Sequence, residues 1–348
     1  MIFSTIQTIY KPENRQLFPK EEFDYIIIDE VHKAGANSYQ ELVNYFKPQF
    51  LLGMSATPER SDDFDIYKMF DYNIAYEIRL QQAMEYDLLC PFHYYGITDM
   101  TIDDHVIDDK SDFNLLVDEK RVDYVIDKIN DYGYSGDRVH GLIFVSRKEE
   151  ANRLSEMFNQ RGFNTCALTG EATEKQRQEA MDSLESNEDG SLDYIFTVDI
   201  FNEGIDIPKV NQVVMLRPTQ SSIIFIQQLG RGLRKNNEKD YVVVIDFIGN
   251  YEKNFFIPIA LSGNTNFNKD NLRRFVSEGN LIIPGASTIQ FDEISKKRIF
   301  NAIDLARFND IKYIKDSYKE LKAKLGKIPE LEDFEKYGSI DSSKNISK

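Results

Sequence analysis

The sequence predicts an α/β protein built on parallel sheets. Short apolar runs recur along the chain, at Tyr25–Ile28, Phe50–Met54, Gly141–Val145, Thr165–Leu168, Tyr194–Val198, Val213–Leu216 and Tyr241–Phe247. Segments with helical spacing lie between them, the alternation expected of strands joined by crossover helices. Several of the runs end in polar clusters, and the carboxyl ends of strands are where open α/β sheets carry their ligands.

Taken in order, Ser4–Ile9 reads as a first strand. Tyr25–Ile28 follows, apolar enough for a strand buried on both faces, and Phe50–Met54 completes the first group. Asp99–Asp112 is rich in Asp and has no sustained period, so it reads as a linker or exposed loop. The second group opens with Gly141–Val145. Glu149–Arg161 then sets Ala151, Leu154 and Phe158 at helical spacing, with Gly162 as its stop. After Gly249 the pattern changes to Asn-rich turns, a helix from about Asp292 to Phe308 and another from Ile311 to Leu325. These signals divide the chain into a first domain over 1–85, a crossing segment over 86–114, a second domain over 115–250 and a C-terminal extension over 251–348.

Of the 348 residues, 41% are hydrophobic, enough for substantial cores and too interrupted by charge for a membrane span. Met1-Ile2-Phe3-Ser4 begins no basic-then-apolar export signal, so a cytoplasmic location is expected. Cys90 and Cys166 lack metal-ligand spacing and read as ordinary thiols. The net charge of −16 argues weakly against a surface coated by nucleic acid but permits a local basic groove.

Four clusters could carry chemistry. Asp29-Glu30-Val31-His32 directly follows Tyr25–Ile28. One carboxylate there can hold Mg²⁺ through its waters while the next orients or deprotonates an attacking water; the bland alternative is an exposed acidic pair capping a helix. Ser55-Ala56-Thr57 ends the neighbouring strand, able to hydrogen-bond across strand ends or to cap a helix leading into Pro58. Thr197-Val198-Asp199 precedes Glu203-Gly204-Ile205-Asp206, where Gly204 allows close backbone approach and Asp206 suits a ribose hydroxyl, unless both belong to a solvated turn. Gln227-Gln228-Leu229-Gly230-Arg231-Gly232-Leu233-Arg234 places two arginines at the end of a helix over Ser221–Leu229. Two guanidinium groups beside glycine backbone suit a phosphate better than a merely solvated helix end.

In this order the segments resemble the motifs of superfamily-2 helicases and translocases of the DEAD/DEAH type. Thr5-Ile6-Gln7 resembles the nucleic-acid-contacting motif, Asp29–His32 motif II and Ser55–Thr57 motif III. Leu142–Ser146 resembles motif IV, Thr197–Pro208 motif V and Gln227–Arg234 motif VI. The subtype looks like bacterial helicases related to restriction-enzyme translocating subunits. Arg217-Pro218-Thr219 and Leu325-Gly326-Lys327-Ile328-Pro329 resemble members that continue into an additional domain. The resemblance implies two RecA-like domains, with ATP and Mg²⁺ in the cleft between them and nucleic acid across their tops. Asp29, with Glu30, would hold the metal, and Glu30 would activate water. His32, Ser55 and Thr57 would couple nucleotide to nucleic acid. Gly204, Asp206 and Gln227 would contact the nucleotide, Arg231 and Arg234 its γ-phosphate. Thr5, Gln7 and Thr197 would touch the nucleic-acid backbone. The partner favoured by analogy is DNA.

The sequence departs from the family in one respect: it has no G-x-x-x-x-G-K-[ST] segment. Gly326-Lys327 is followed by Ile328, and only 28 residues precede Asp29, too few for a strand, a P-loop, its helix and the next strand. The first RecA-like domain is therefore expected to be incomplete, with exposed apolar surface. The chain is expected to be a fragment or a truncated frame, with an N-terminal segment or a partner supplying the P-loop. ATP hydrolysis by the chain alone is expected to be weak or absent. The alternative is a non-catalytic nucleic-acid- or protein-binding module derived from a helicase.

Overall fold

The computed structural model describes residues 1–31, 37–55, 67–198, 207–219, 221–263, 268–278 and 286–306, together with 318, 321–322, 325–330 and 333. The chain divides into two compact units, one comprising Met1–Glu77 and Phe308–Lys348, the other Ile78–Arg307. Among the described residues no helix is long and apolar enough to cross a membrane.

The first unit begins with two single-turn helices, α1 (Ile6–Ile9) and α2 (Pro12–Arg15). The strand expected over Ser4–Ile9 is therefore absent. Ile6 and Ile9 sit three apart, a helical spacing, and Thr8 and Ile9 donate back to the Thr5 carbonyl, closing the turn at 3.1 Å each. Strand β1 (Tyr25–Ile28) pairs in parallel with β2 (Phe50–Gly53), joined by helix α3 (Asn37–Phe46). Tyr39, Leu42, Val43 and Phe46 recur at helical spacing. Tyr39 and Val43 pack with Ile26, Ile28, Val31, Leu51 and Phe70 under the sheet. The opposite face is open, with Tyr25 73% and Ile27 61% exposed. Burial of β1 on both faces is thus not met within this sheet, whereas the expected exposed apolar surface is present. The C-terminal segment belongs to the same unit. Gly326, at φ +64°, lies against Tyr72, where an added Cβ would come within 2.6 Å of the ring.

The second unit starts with α4 (Leu80–Glu85) and strand β3 (Phe92–Thr98). A hairpin of β4 (Thr101–Ile102) and β5 (His105–Val106) leads to α5 (Phe113–Leu116) and α6 (Glu119–Tyr132). An alternating series follows: β6 (Gly141–Phe144), α7 (Lys148–Gln160), β7 (Thr165–Leu168), α8 (Glu174–Glu185), β8 (Tyr194–Thr197), β9 (Gln212–Met215), α9 (Ser222–Gly232) and β10 (Val242–Ile248). Helices α10 (Phe256–Ser262) and α11 (Lys269–Glu278), strand β11 (Thr288–Phe291) and helix α12 (Glu293–Leu305) complete it. The seven long strands form one sheet in the order β11-β3-β10-β9-β6-β8-β7, with every pairing parallel. Every residue of β6, β8, β9 and β10 is buried, which explains why these strands read as continuous apolar runs. Val122, Val125 and Ile129 of α6, with Leu154, Met157 and Phe158 of α7, fill one face. On the other, Phe225 of α9 meets the Tyr94 ring edge-on at 6.0 Å.

This architecture corrects the expected boundaries. The segment 86–114 is no linker: β3 pairs with β10 over seven residues and with β11 on its other side. Nor is 251–348 a separate extension, because α10, α11, β11 and α12 join the second unit while 308–348 joins the first. Tyr and His obscured the strand. Tyr94 is wholly buried and donates its hydroxyl to Asp246 Oδ2 at 2.6 Å. Asp99 misled for a similar reason. It is 0% exposed and takes both Nε (3.0 Å) and Nη2 (2.8 Å) of the buried Arg121. Arg121 Nη1 donates to the Leu116 carbonyl at 2.7 Å and stands 3.9 Å from Glu150, which accepts from the Ser146 N–H at 3.0 Å.

Two predictions follow from these buried charges. Arg121→Met leaves Asp99 buried without its counter-charge and should cost about 3–5 kcal/mol in urea-monitored unfolding. Adding Asp99→Asn should recover part of the loss; strictly additive losses would show that the pair does not act as a unit. For Asp246, burial pushes the carboxyl up to about 7 from an ordinary 3.8. A raised folded-state pKa means the native protein holds this proton more tightly than the unfolded chain. The resulting stability is complete below about pH 4 and is lost as pH rises toward 7. Asp246→Asn, neutral throughout, should therefore gain melting temperature relative to wild type between pH 5 and pH 8. Parallel pH profiles for the two proteins would contradict this.

Candidate nucleotide and nucleic-acid site

In the first unit the acidic pair and the hydroxyl segment meet at one sheet edge. Met54 N–H donates to the Ile28 carbonyl and Val31 N–H to the Met54 carbonyl, both at 2.9 Å. These bonds extend the parallel pairing past the strands and bring Asp29-Glu30 beside Met54-Ser55. Asp29 is exposed, its Oδ1 accepting from the Glu30 N–H at 2.9 Å. Glu30 has φ +48°, a left-handed backbone that costs a non-glycine residue energy and is concentrated at functional sites. Two hard oxygen donors with one exposed carboxylate suit Mg²⁺, which takes one or two protein carboxylates and completes its shell with water and phosphate. Among the described residues no group of three or more His, Cys, Asp or Glu forms a protein-only metal cage. His32 and Thr57 lie outside the described residues. Thr5 and Gln7 are exposed at the start of α1, with Thr5 Oγ1 2.9 Å from Thr8 Oγ1.

In the second unit the predicted residues occupy opposite edges of the sheet. Thr197 ends β8 at the carboxyl edge. It is 0% exposed, and its Oγ1 has no hydrogen-bond partner among the described residues. Beside it Arg217, 5% exposed, donates Nη1 to the Val198 carbonyl at 2.8 Å, tying the end of β9 to the end of β8. Gly204 and Asp206 lie outside the described residues. The chain resumes at Ile207 and reaches the amino end of β9. Helix α9 runs back over the sheet, so its C-terminus also lies at the amino edge. A Cβ on Gly232 would come within 2.8 Å of Val242, the first residue of β10, and 3.2 Å of Val213. Arg231 thus occupies the last turn of α9 and Arg234 the segment just past it, both half-buried, as is Gln227. Burial lowers the pKa of Arg234. Cationic side chains at a helix C-terminus are favoured by the helix dipole.

Two stretches of the sequence match known families. The family described as "Type III restriction enzyme, res subunit" matches residues 1–60, and "Helicase conserved C-terminal domain" matches 120–236. The chain belongs to the superfamily-2 helicases and translocases. A further family, a domain of unknown function, matches 314–348. The ATP-dependent helicase IRC3 of Saccharomyces cerevisiae is 28% identical over 264 residues, covering 72% of this chain and 37% of that protein. A 51.5 kDa protein of a Lactococcus phage is 23% identical, covering 70% of this chain and 53% of its own length. The chain thus spans about a third to a half of these relatives. Among solved structures, a fragment of an HsdR subunit of a type I restriction enzyme from Vibrio vulnificus is 25% identical at TM-score 0.51, covering 68% of this chain and 45% of that one. The DNA-bound type ISP restriction-modification enzyme LlaBIII shares the fold at TM-score 0.55 and 18% identity, covering 96% of this chain and 27% of that one.

Sequence reasoning missed Arg217 as a brace, and also missed the buried polar pairs beneath the sheet edges. Its one available signal was an arginine directly after an apolar strand, a position where a solvated side chain would end the burial. The orphaned Thr197 hydroxyl gives a test. Removing an unsatisfied buried hydroxyl should leave stability unchanged or raise it by about 1 kcal/mol. Thr197→Val should therefore melt no lower than wild type. A lower melting temperature would show that the hydroxyl is bonded in the folded protein.

Proposed function

We propose that this chain carries most of an ATP-dependent motor that moves on nucleic acid, with DNA as the substrate. The observation that carries this reading is the placement of Asp29-Glu30 at the carboxyl end of a parallel strand, beside Ser55. Asp29 is the Mg²⁺-binding carboxylate, and Glu30 takes the proton of the attacking water. When bound, Mg·ATP supplies the transferable phosphoryl group and the charge-neutralising cation. Thr5 and Gln7, exposed on α1, bind nucleic-acid backbone, contacts that position a protein without reading sequence, whereas the wholly buried Thr197 offers nucleic acid no surface. Arg231 and Arg234 stabilise charge on the phosphoryl group, with Gly204, Asp206 and Gln227 against the nucleotide. His32, Ser55 and Thr57 link the two events. DNA is favoured over RNA because the match over residues 1–60 is to a restriction-enzyme family and the HsdR subunit is a structural relative. A cytoplasmic location fits such a substrate.

This sequence contains no P-loop lysine to cradle the β- and γ-phosphates, so turnover depends on a phosphate-binding segment supplied alongside it. In the complete motor, Glu30→Gln should abolish DNA-stimulated ATP hydrolysis while leaving Mg·ATP binding largely intact. Arg234→Ala should lower kcat by roughly 10³-fold or more, the scale of a lost arginine finger. Wild-type turnover in both variants would leave only a nucleic-acid-binding module.

A further inference from the structure

Lys239 lies in the polar run Asn236-Asn237-Glu238-Lys239-Asp240 that precedes β10. The structure buries it to 7% exposure. Its Nζ donates to two main-chain carbonyls, Gly232 O at 2.7 Å and Val210 O at 2.5 Å. A buried ammonium is expensive unless its protons are taken up, and charge-assisted bonds to carbonyls do so at about twice the strength of neutral ones. Gly232 is the last residue of α9, whose terminal carbonyls have no partner within the helix and carry the negative end of its dipole. Val210 lies just past the 199–206 segment, where the chain turns into β9. Burial lowers the Lys239 pKa to about 8, which leaves it cationic at neutral pH.

We propose that Lys239 is a positioning residue for the arginine pair: it pins the end of α9 at Gly232 to the segment entering β9 at Val210, so that Arg231 and Arg234 keep their place against the sheet. The two carbonyls come from segments 22 residues apart in sequence, Val210 and Gly232, and one side chain joins them. Other bonds support the same end of the helix. The Cys90 N–H donates to the Leu233 carbonyl at 2.7 Å, and Lys235 pairs with Asp87 at 2.7 Å. Those bonds tie the segment after α9 to the chain entering β3. Lys239 reaches from this end of the helix to the segment that trails Asp206, and the Lys209–Glu238 ion pair at 2.7 Å joins that segment to the turn before β10 beside it. The proposal rests on the arginine roles assigned above, and its test separates the two.

Lys239→Met keeps the aliphatic stem and removes the charge, so the fold should persist. Hydrogen exchange on the 348-residue chain should then accelerate about tenfold at 207–212 and 230–236, with the strands of the sheet unchanged. In the complete motor the same variant should lower kcat for DNA-stimulated ATP hydrolysis by about tenfold, with little change in KM. Lys239→Arg, which keeps a cationic donor, should restore part of both. Unchanged exchange at the two segments overturns the clamp. Faster exchange with wild-type kcat, while Arg234→Ala is inactive, overturns the positioning role. If Arg234→Ala itself turns over like wild type, the arginine assignment fails instead, and the exchange result alone decides the clamp.

Discussion

The second unit depends on one buried ion pair. Asp99 and Arg121 lie at the carboxyl edge of the sheet, both essentially inaccessible to water, and join in a two-bond fork. Burying a carboxylate and a guanidinium costs more than their attraction returns unless the remaining polar atoms are satisfied. Here they are: the Met100 N–H takes up the spare capacity of Asp99, and the Leu116 carbonyl takes that of Arg121. Glu150 stands at the rim of the pair and accepts from the Ser146 N–H. One cluster therefore fixes the end of β3, the first turns of α6 and α7, and the loop that follows β6. A β3 freed from this anchor would lose its place between β10 and β11, and with it the continuity of the seven-stranded sheet.

The same cluster explains what could be read from the sequence. Strands made of Ile, Val, Leu and Phe announce themselves because burial on both faces demands unbroken apolar character; Gly141–Phe144 and Val242–Ile248 are examples. Phe92–Thr98 did not, because its core residues include tyrosines whose polar atoms are satisfied only by tertiary partners such as Asp246. Asp99 read as solvent-exposed because its partner lies 22 residues away, and no local pattern encodes that pairing. Ser4–Ile9 failed in the opposite direction. Its β-branched residues suggested a strand, but two isoleucines three apart with no adjacent strand satisfy their backbone bonds in a helical turn. Of the site, the residue types and their order were legible. Their placement on sheet edges was not, since it follows from the direction in which α9 crosses the sheet.

That direction has a mechanical consequence. Thr197 sits at the carboxyl edge, while Arg231 and Arg234 sit at the amino edge, a strand length apart. Groups at the two edges therefore cannot communicate through direct touch. The route described between them is the sheet itself. The sheet is close-packed, and its strands β6, β8 and β9 are wholly buried, so it transmits displacement as a body rather than by local deformation. The Lys239 pin between Val210 and Gly232 fixes the amino edge. Arg217, bonded to the Val198 carbonyl, does the same at the carboxyl edge. With one buried cation bracing each edge, a shift at one edge reaches the other through the packed sheet moving as a body, and this is the property that coupling two sites on opposite edges requires.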